Sequence, residues 1–129
     1  MKALDFEGLT INEIAPLIRK KQISPLELTR GYLDRISTLN PLLNAYLAIT
    51  EDSAVAAAKK AEREIAKGNY RGPLHGIPFS IKDNITVKGV TTTAGSKILS
   101  DWVPDFDATV VEKLKEAGVV ILGKTNMHE

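Results

Sequence analysis

Two lysines stand where a side chain could enter catalysis. Lys82 closes the stretch Gly72-Pro73-Leu74-His75-Gly76-Ile77-Pro78-Phe79-Ser80-Ile81-Lys82-Asp83-Asn84, in which turn-forming residues flank a short apolar run. Strand ends beside long loops are where α/β proteins place reactive groups. Taken alone, a lysine is more often a solvated surface charge, and His75 reads as a hydrogen-bonded turn residue. Lys124 belongs to a second pattern, Gly118-Val119-Val120-Ile121-Leu122-Gly123-Lys124-Thr125, which satisfies the phosphate-loop spelling letter for letter. The physics disagrees. A phosphate cradle needs a flexible loop whose N–H groups turn inward, and here the interval is four aliphatic residues, three of them β-branched. Such residues favour a pleated strand, so nucleotide binding is not expected.

The elements that must position these residues follow in order. Thr10-Ile11-Asn12-Glu13 spells a capping box, and Ile11, Ile14, Ala15 and Ile18 then share one helix face. Pro16 removes one helix hydrogen bond and is expected to kink or delay that helix. A second helix is expected from the cap Ser24, with Pro25 at the tolerated first position and Glu27 closing the box. Leu28, Tyr32, Leu33, Ile36 and Leu39 form its apolar face, and Asn40-Pro41 is expected to stop it. Residues 45–49 fit either a strand or an extended connector. Residues 51–67 read as a helix that Gly68-Asn69 ends. Its stripe of Ala54, Ala57, Ala58, Ala61 and Ile65 is narrow enough for a neighbour to approach closely.

Composition shifts at Arg71 toward Gly, Pro, Thr and β-branched residues. Ile77, Phe79 and Ile81 alternate with Pro78, Ser80 and Lys82, a strand whose early proline puts it at a strand start or edge. Asp107 is expected to cap a helix over residues 108–117, with Val110, Val111 and Leu114 inward. Gly118 ends it, and Val119-Val120-Ile121-Leu122 reads as a fully buried strand. Strand, helix and strand make one βαβ unit. The 24 residues 83–106 that leave its first strand are too long for a plain connection and suggest function or local order. The expected fold class is α/β: a helical layer (1–71), then the βαβ unit of an incomplete, mostly parallel or mixed sheet (72–129).

Composition removes several chemistries. The chain has 129 residues, 43% hydrophobic and 26% charged, an ordinary globular mix. Seventeen basic residues against sixteen acidic ones leave a charge of +1, which argues against direct nucleic-acid binding. With no cysteine and only His75 and His128, neither a thiolate nor a histidine metal site is expected, and no cofactor is implied. The opening carries Asp5, Glu7 and Glu13, unlike a signal peptide, and no stretch is long and apolar enough for a bilayer. A cytoplasmic location is expected. The sequon Asn84-Ile85-Thr86 therefore reads as fortuitous.

GPLHGIPFSIKDNI, then GVTTTAGS, then VPDFDATVVEKLKEAGVVILGKTNMHE resemble, in register from Gly72 to Glu129, the amidase signature family of Ser-Ser-Lys amide hydrolases. Ser24-Pro25-Leu26-Glu27-Leu28 fits that family's N-terminal helices, so the resemblance covers nearly the whole chain. It implies an amide substrate and makes Lys82, the lysine before Asp-Asn, the catalytic base. Lys124 falls to the framework, and Thr125, Asn126 and Met127 are candidate pocket-lining residues. In such a mechanism a neutral lysine takes a proton, through a bridging serine, from the serine that attacks the carbonyl. Here the resemblance departs from its family. The two serines are expected further on, in a segment resembling GGSSGGS, and the chain reaches Glu129 before it. Ser24, Ser53, Ser80 and Ser96 lack that glycine-rich setting. The chain thus reads as the N-terminal piece of a longer amidase, inactive alone, whose partner is the missing C-terminal part of the same fold. Self-association through uncovered surface is also expected. The alternatives are a fragment of the glutaminase-like subunit of a transfer-RNA amidotransferase, or a non-catalytic binding module.

Overall fold

The computed structural model describes residues 6–128, so the reading of Asp5 lies outside the described residues. In chain order it contains α1 (Ile11–Arg19), α2 (Pro25–Leu43), β1 (Tyr46–Ile49), α3 (Glu51–Ala66), β2 (Pro78–Lys82), α4 (Thr109–Glu116) and β3 (Val120–Thr125). A single 3-10 turn, Lys97–Leu99, interrupts the long connection after β2.

Local chemistry sets the helix starts. The Glu13 carboxylate accepts from both the backbone N–H and the hydroxyl of Thr10, at 2.7 and 2.8 Å, so α1 begins at Ile11. Pro16 does not delay it; it sits inside the helix, where it forfeits one bond. The Ser24 hydroxyl oxygen accepts from the N–H groups of Leu26 and Glu27 and starts α2 at Pro25. Two expectations about helix ends fail. First, α2 runs through Pro41 to Leu43, and Asn44 ends it in the left-handed region (φ 50°) with its N–H on the Asn40 carbonyl. The Asn40 side chain is committed elsewhere. Its amide donates to the Tyr46 carbonyl and its oxygen accepts from the Tyr46 N–H, which hands the chain straight into a strand. Second, Asp107 does not cap α4, whose N-cap is Ala108 without a side-chain bond. Asp107 instead accepts from the Lys88 N–H and the Lys115 ammonium, and Val110 faces solvent rather than the core.

The strands assemble in the order β1-β3-β2. β2 and β3 run parallel, Pro78 opposite Val120 and Lys82 opposite Thr125, with α4 as the crossover. β1 joins the other side of β3 antiparallel, so the sheet is mixed and, of the stretch 45–49, residues 46–49 are a strand rather than a connector. β3 also extends beyond Leu122 to Thr125, which places Lys124 and Thr125 within the strand. Helices pack on both faces but leave Ser80 and Lys82 at the end of β2 exposed. Val120 and Leu122 are buried with Leu33 and Ile36 of α2 and Ala54 and Ala58 of α3, while Ile81 and Ile121 pack with Val87 and with Val111 of α4. The small side chains of α3 permit the close approach that their spacing promises. A third cluster ties α1 to α2, α3 and the residue before β2, through Ile14, Ile18, Leu28, Ile65 and Ile77.

Gly123 marks the tightest point of the sheet. A Cβ there would strike the Ala48 carbonyl oxygen and come within 3.1 Å of the Tyr46 ring. Gly123→Ala is expected to destabilise the fold by roughly 1–3 kcal/mol, typical of overpacking, seen as a lower urea midpoint; an unchanged midpoint would contradict this packing. β1 and β2 each keep one edge that pairs with no strand among the described residues, and Leu42, Leu43, Ile98, Val103 and Phe106 are exposed. Free edges and apolar surface promote association. The chain is therefore expected to elute in a concentration-dependent way on sizing columns, and a monomer at all concentrations would refute the expectation.

Candidate active site

Strand alternation decides what each residue near Lys82 can do. Ser80 and Lys82 are exposed, whereas Ile81 and Asp83 are 4% and 0% exposed. The Lys82 ammonium therefore leaves the sheet on the opposite side from the Asp83 carboxylate. Its backbone is held on both flanks. The Asp83 N–H donates to the Thr125 carbonyl at 3.1 Å, and the Ile85 N–H donates to the Lys82 carbonyl at 2.9 Å. Beside it, the Tyr46 hydroxyl on β1 meets the Ser80 hydroxyl on β2. To reach there the tyrosine ring crosses β3 at Gly123, the place where a side chain would block it.

Of the pocket-lining candidates, Thr125 lies directly opposite Lys82 in the sheet. Asn126 turns the other way: its N–H donates to the Ala45 carbonyl and its side-chain amide to the Asn44 carbonyl. Met127 follows it, its N–H on the Asn126 side chain. So the structure brings Thr125 to Lys82 and commits the polar groups of Asn126 to the start of β1.

The other lysine is buried. Lys124 is 0% exposed and donates to the Asp83 carboxylate at 3.2 Å and to the Thr92 hydroxyl at 2.8 Å. Burial lowers its pKa, and the hydrogen bond and charge of Asp83 oppose that shift. The second Asp83 oxygen accepts from the N–H and hydroxyl of Thr93, and the Asp83 carbonyl accepts from the Ala94 N–H. With no path to solvent, Lys124 is committed to Asp83 and Thr92. It holds a framework, and the strand around it leaves no phosphate cradle. Sequence reasoning missed Asp83, Thr92, Thr93 and Tyr46. A lysine inside an aliphatic strand and a glycine interrupting it were the available signals.

A cleft of about 730 Å³ lies elsewhere, between α3 and residues 87–90 and 118–121, and Lys82 does not line it. His75 borders that cleft and is 1% exposed. Its Nδ1 accepts from the Arg71 N–H at 3.1 Å, and its Nε2 lies 3.4 Å from Glu64. Arg71 grips the same carboxylate and also donates to the Glu116 carbonyl at the end of α4. His75 thus joins α3 to the turn before β2, as a structural residue. Among the described residues no cluster of three or more His, Cys, Asp or Glu side chains could hold a metal ion. No helix among them is long and apolar enough to cross a membrane.

The amidase family model matches residues 27–129, and the chain belongs to the amidase signature family. It is 47% identical over 120 residues to the A subunit of glutamyl-tRNA(Gln) amidotransferase from Acidothermus cellulolyticus, covering 93% of this chain and 24% of that protein. The corresponding protein of Geobacter metallireducens is 48% identical over 126 residues, covering 98% of this chain and 26% of its own length. Among solved structures, native peptide amidase from Stenotrophomonas maltophilia superposes with a TM-score of 0.89 at 37% identity, over 95% of this chain and 26% of that one. An amidase family protein from Bacillus anthracis str. Ames gives 0.87 at 36% identity, over 98% of this chain and 25% of its own. The chain therefore spans about a quarter of the length of these relatives.

Burial lowers the pKa of His75 from 6.5; Glu64 opposes this and Arg71 reinforces it. The folded chain then holds His75 neutral while the unfolded chain protonates it as pH falls through 6.5. Stability from this group is complete above that pH and declines below it, down to the folded pKa. Urea unfolding from about pH 7.5 to about pH 5.5 is expected to show this loss in the wild type and less of it in His75→Gln. Parallel curves would remove His75 as the cause.

Proposed function

We propose that the chain contributes Lys82 as the proton acceptor of a Ser-Ser-Lys amide-hydrolysing site, within an enzyme like the A subunit of a glutamyl-tRNA(Gln) amidotransferase. The observation that carries this reading is the place of Lys82: a strand end, backbone held on both flanks, ammonium turned to the open side of the sheet. The substrate bond is a carboxamide C–N bond, and a glutamine side chain is favoured because the relatives near 47% identity are amidotransferase subunits. The peptide amidase is 37% identical, which keeps general amide hydrolysis as the second reading.

The chemistry divides between this chain and a glycine- and serine-rich segment supplied by the remainder of the fold. An attacking serine gives its proton through a bridging serine to the neutral Lys82 amine as it bonds to the amide carbon. The ammonium so formed returns the proton, by the same bridge, to the departing nitrogen, which leaves as ammonia. Water then releases the acyl group as a carboxylic acid. Lys82 can start this cycle only without a proton, which requires its exposed end to be covered when the rest of the fold docks. Thr125, opposite Lys82, and the loop from Asp83 to Trp102 would wall the substrate. A cytoplasmic setting belongs to the same reading.

The test is complementation. The chain is mixed with the C-terminal part of the Geobacter metallireducens relative, beginning where the matched region ends, and ammonia release is followed with glutamine, acetamide and a peptide amide. Turnover greatest with glutamine is expected, with none from the chain alone and none when Lys82→Met replaces the wild type in a complex that still forms. Undiminished turnover with Lys82→Met would overturn the assignment. Complex formation without turnover on any amide would favour a non-catalytic module.

A further inference from the structure

The residue after the proposed base is a carboxylate, and that placement needs explaining. A negative charge beside a lysine favours the charged amine, the form that cannot accept a proton. Asp83 is nevertheless the most heavily used side chain at this strand end. One of its oxygens takes the Lys124 ammonium at 3.2 Å, and the other takes the Thr93 N–H at 3.2 Å together with the Thr93 hydroxyl. Lys124 in turn reaches Thr92 at 2.8 Å, and Thr92 bonds back to the loop through the carbonyls of Trp102 and Val90. These bonds fasten residues 90–102 to the ends of β2 and β3.

We propose that Asp83 and Lys124 are positioning residues for Lys82: the pair clamps the loop to the strand end with a carboxylate whose charge Lys124 cancels, so that no uncompensated charge stands behind the neighbouring Lys82 amine. The inference rests on the reading of Lys82 as a proton acceptor. Both members of the pair are almost fully buried, Lys124 at 0% and Asp83 at 1% side-chain exposure, on the face away from Lys82. The other titratable groups that the strands bring to this sheet are Tyr46 on β1 and Lys82 itself on β2. On the packed side Asp107 is taken by Lys115 and the Lys88 N–H, and Glu112, Lys113 and Glu116 lie on α4, all three exposed. Lys124 is thus the cation that neutralises Asp83.

Opposite charge changes should act on Lys82 in opposite directions. A neutral-amine reagent is applied to the full chain at fixed pH, and the labelling rate of Lys82 is read by peptide mass spectrometry against Lys59 and Lys97. Lys124→Met leaves Asp83 uncompensated and is expected to slow Lys82 labelling by about threefold, as an unscreened charge several ångströms away would do. Asp83→Asn leaves Lys124 uncompensated and is expected to speed it by a similar factor. The double variant returns it near the wild-type rate, and added salt shrinks both single effects. A clamp with no electrostatic part would move both singles in the same direction, and that result overturns the proposal. Where Lys124→Met fails to fold by circular dichroism, Asp83→Asn decides alone, and labelling no faster than wild type overturns it. The measurement needs no turnover, so loss of the amidase reading in complementation leaves its outcome separately legible.

Discussion

The ion pair between Asp83 and Lys124 is the constraint on which this end of the molecule depends. Both side chains have left water almost entirely, which costs several kcal/mol per ion before any attraction is counted. Only a saturated set of partners offsets that cost, and Thr92 and Thr93 complete it. Breaking one member alone leaves a buried charge and typically costs roughly 3–5 kcal/mol. Because the pair joins the exit of β2 to the far half of β3 and takes its threonine partners from the long loop, it fixes three segments at once. A loop of this length acquires a definite path because its central threonines are tied to a charge that cannot move.

Close approach is the second organising theme, and small residues set it. The alanines of α3 let that helix lie against α2 and β3. Gly123 lets the Tyr46 ring cross the central strand to Ser80, and Gly118 leaves room for His75, whose ring a Cβ there would strike. One polar row, Tyr46, Ser80 and Lys82, is left at the open end of a sheet otherwise packed against helices. The row is where the chemistry proposed for this chain would meet the rest of an amidase fold, as the relatives extend to about four times its length.

Much of the local structure was readable from residue types, because local hydrogen bonding decides it. The Thr10–Glu13 box, the Ser24 cap with Pro25 behind it, and the alanine stripe of α3 all follow from contacts one or a few helical turns apart. The aliphatic run before Gly123 dismissed the phosphate loop for a reason that held: β-branched residues build strand, and β3 occupies that stretch. The in-register motifs from Gly72 onward carried the family.

Where long-range partners compete with local ones, only tertiary structure decided. Asp107 looked like a cap, yet its carboxylate accepts from Lys115 and the Lys88 N–H instead. Asn40-Pro41 looked like a stop, yet the Asn40 side chain bound β1 while the helix ran on to Leu43. Residues 46–49 became a strand because β3 had an edge to pair, which no local pattern records. Lys82 and Lys124 carry the same side chain at strand positions of similar appearance. Pleat and partner separated them, one turned to the open face and the other sealed against Asp83, because burial and charge pairing exist only once distant segments meet.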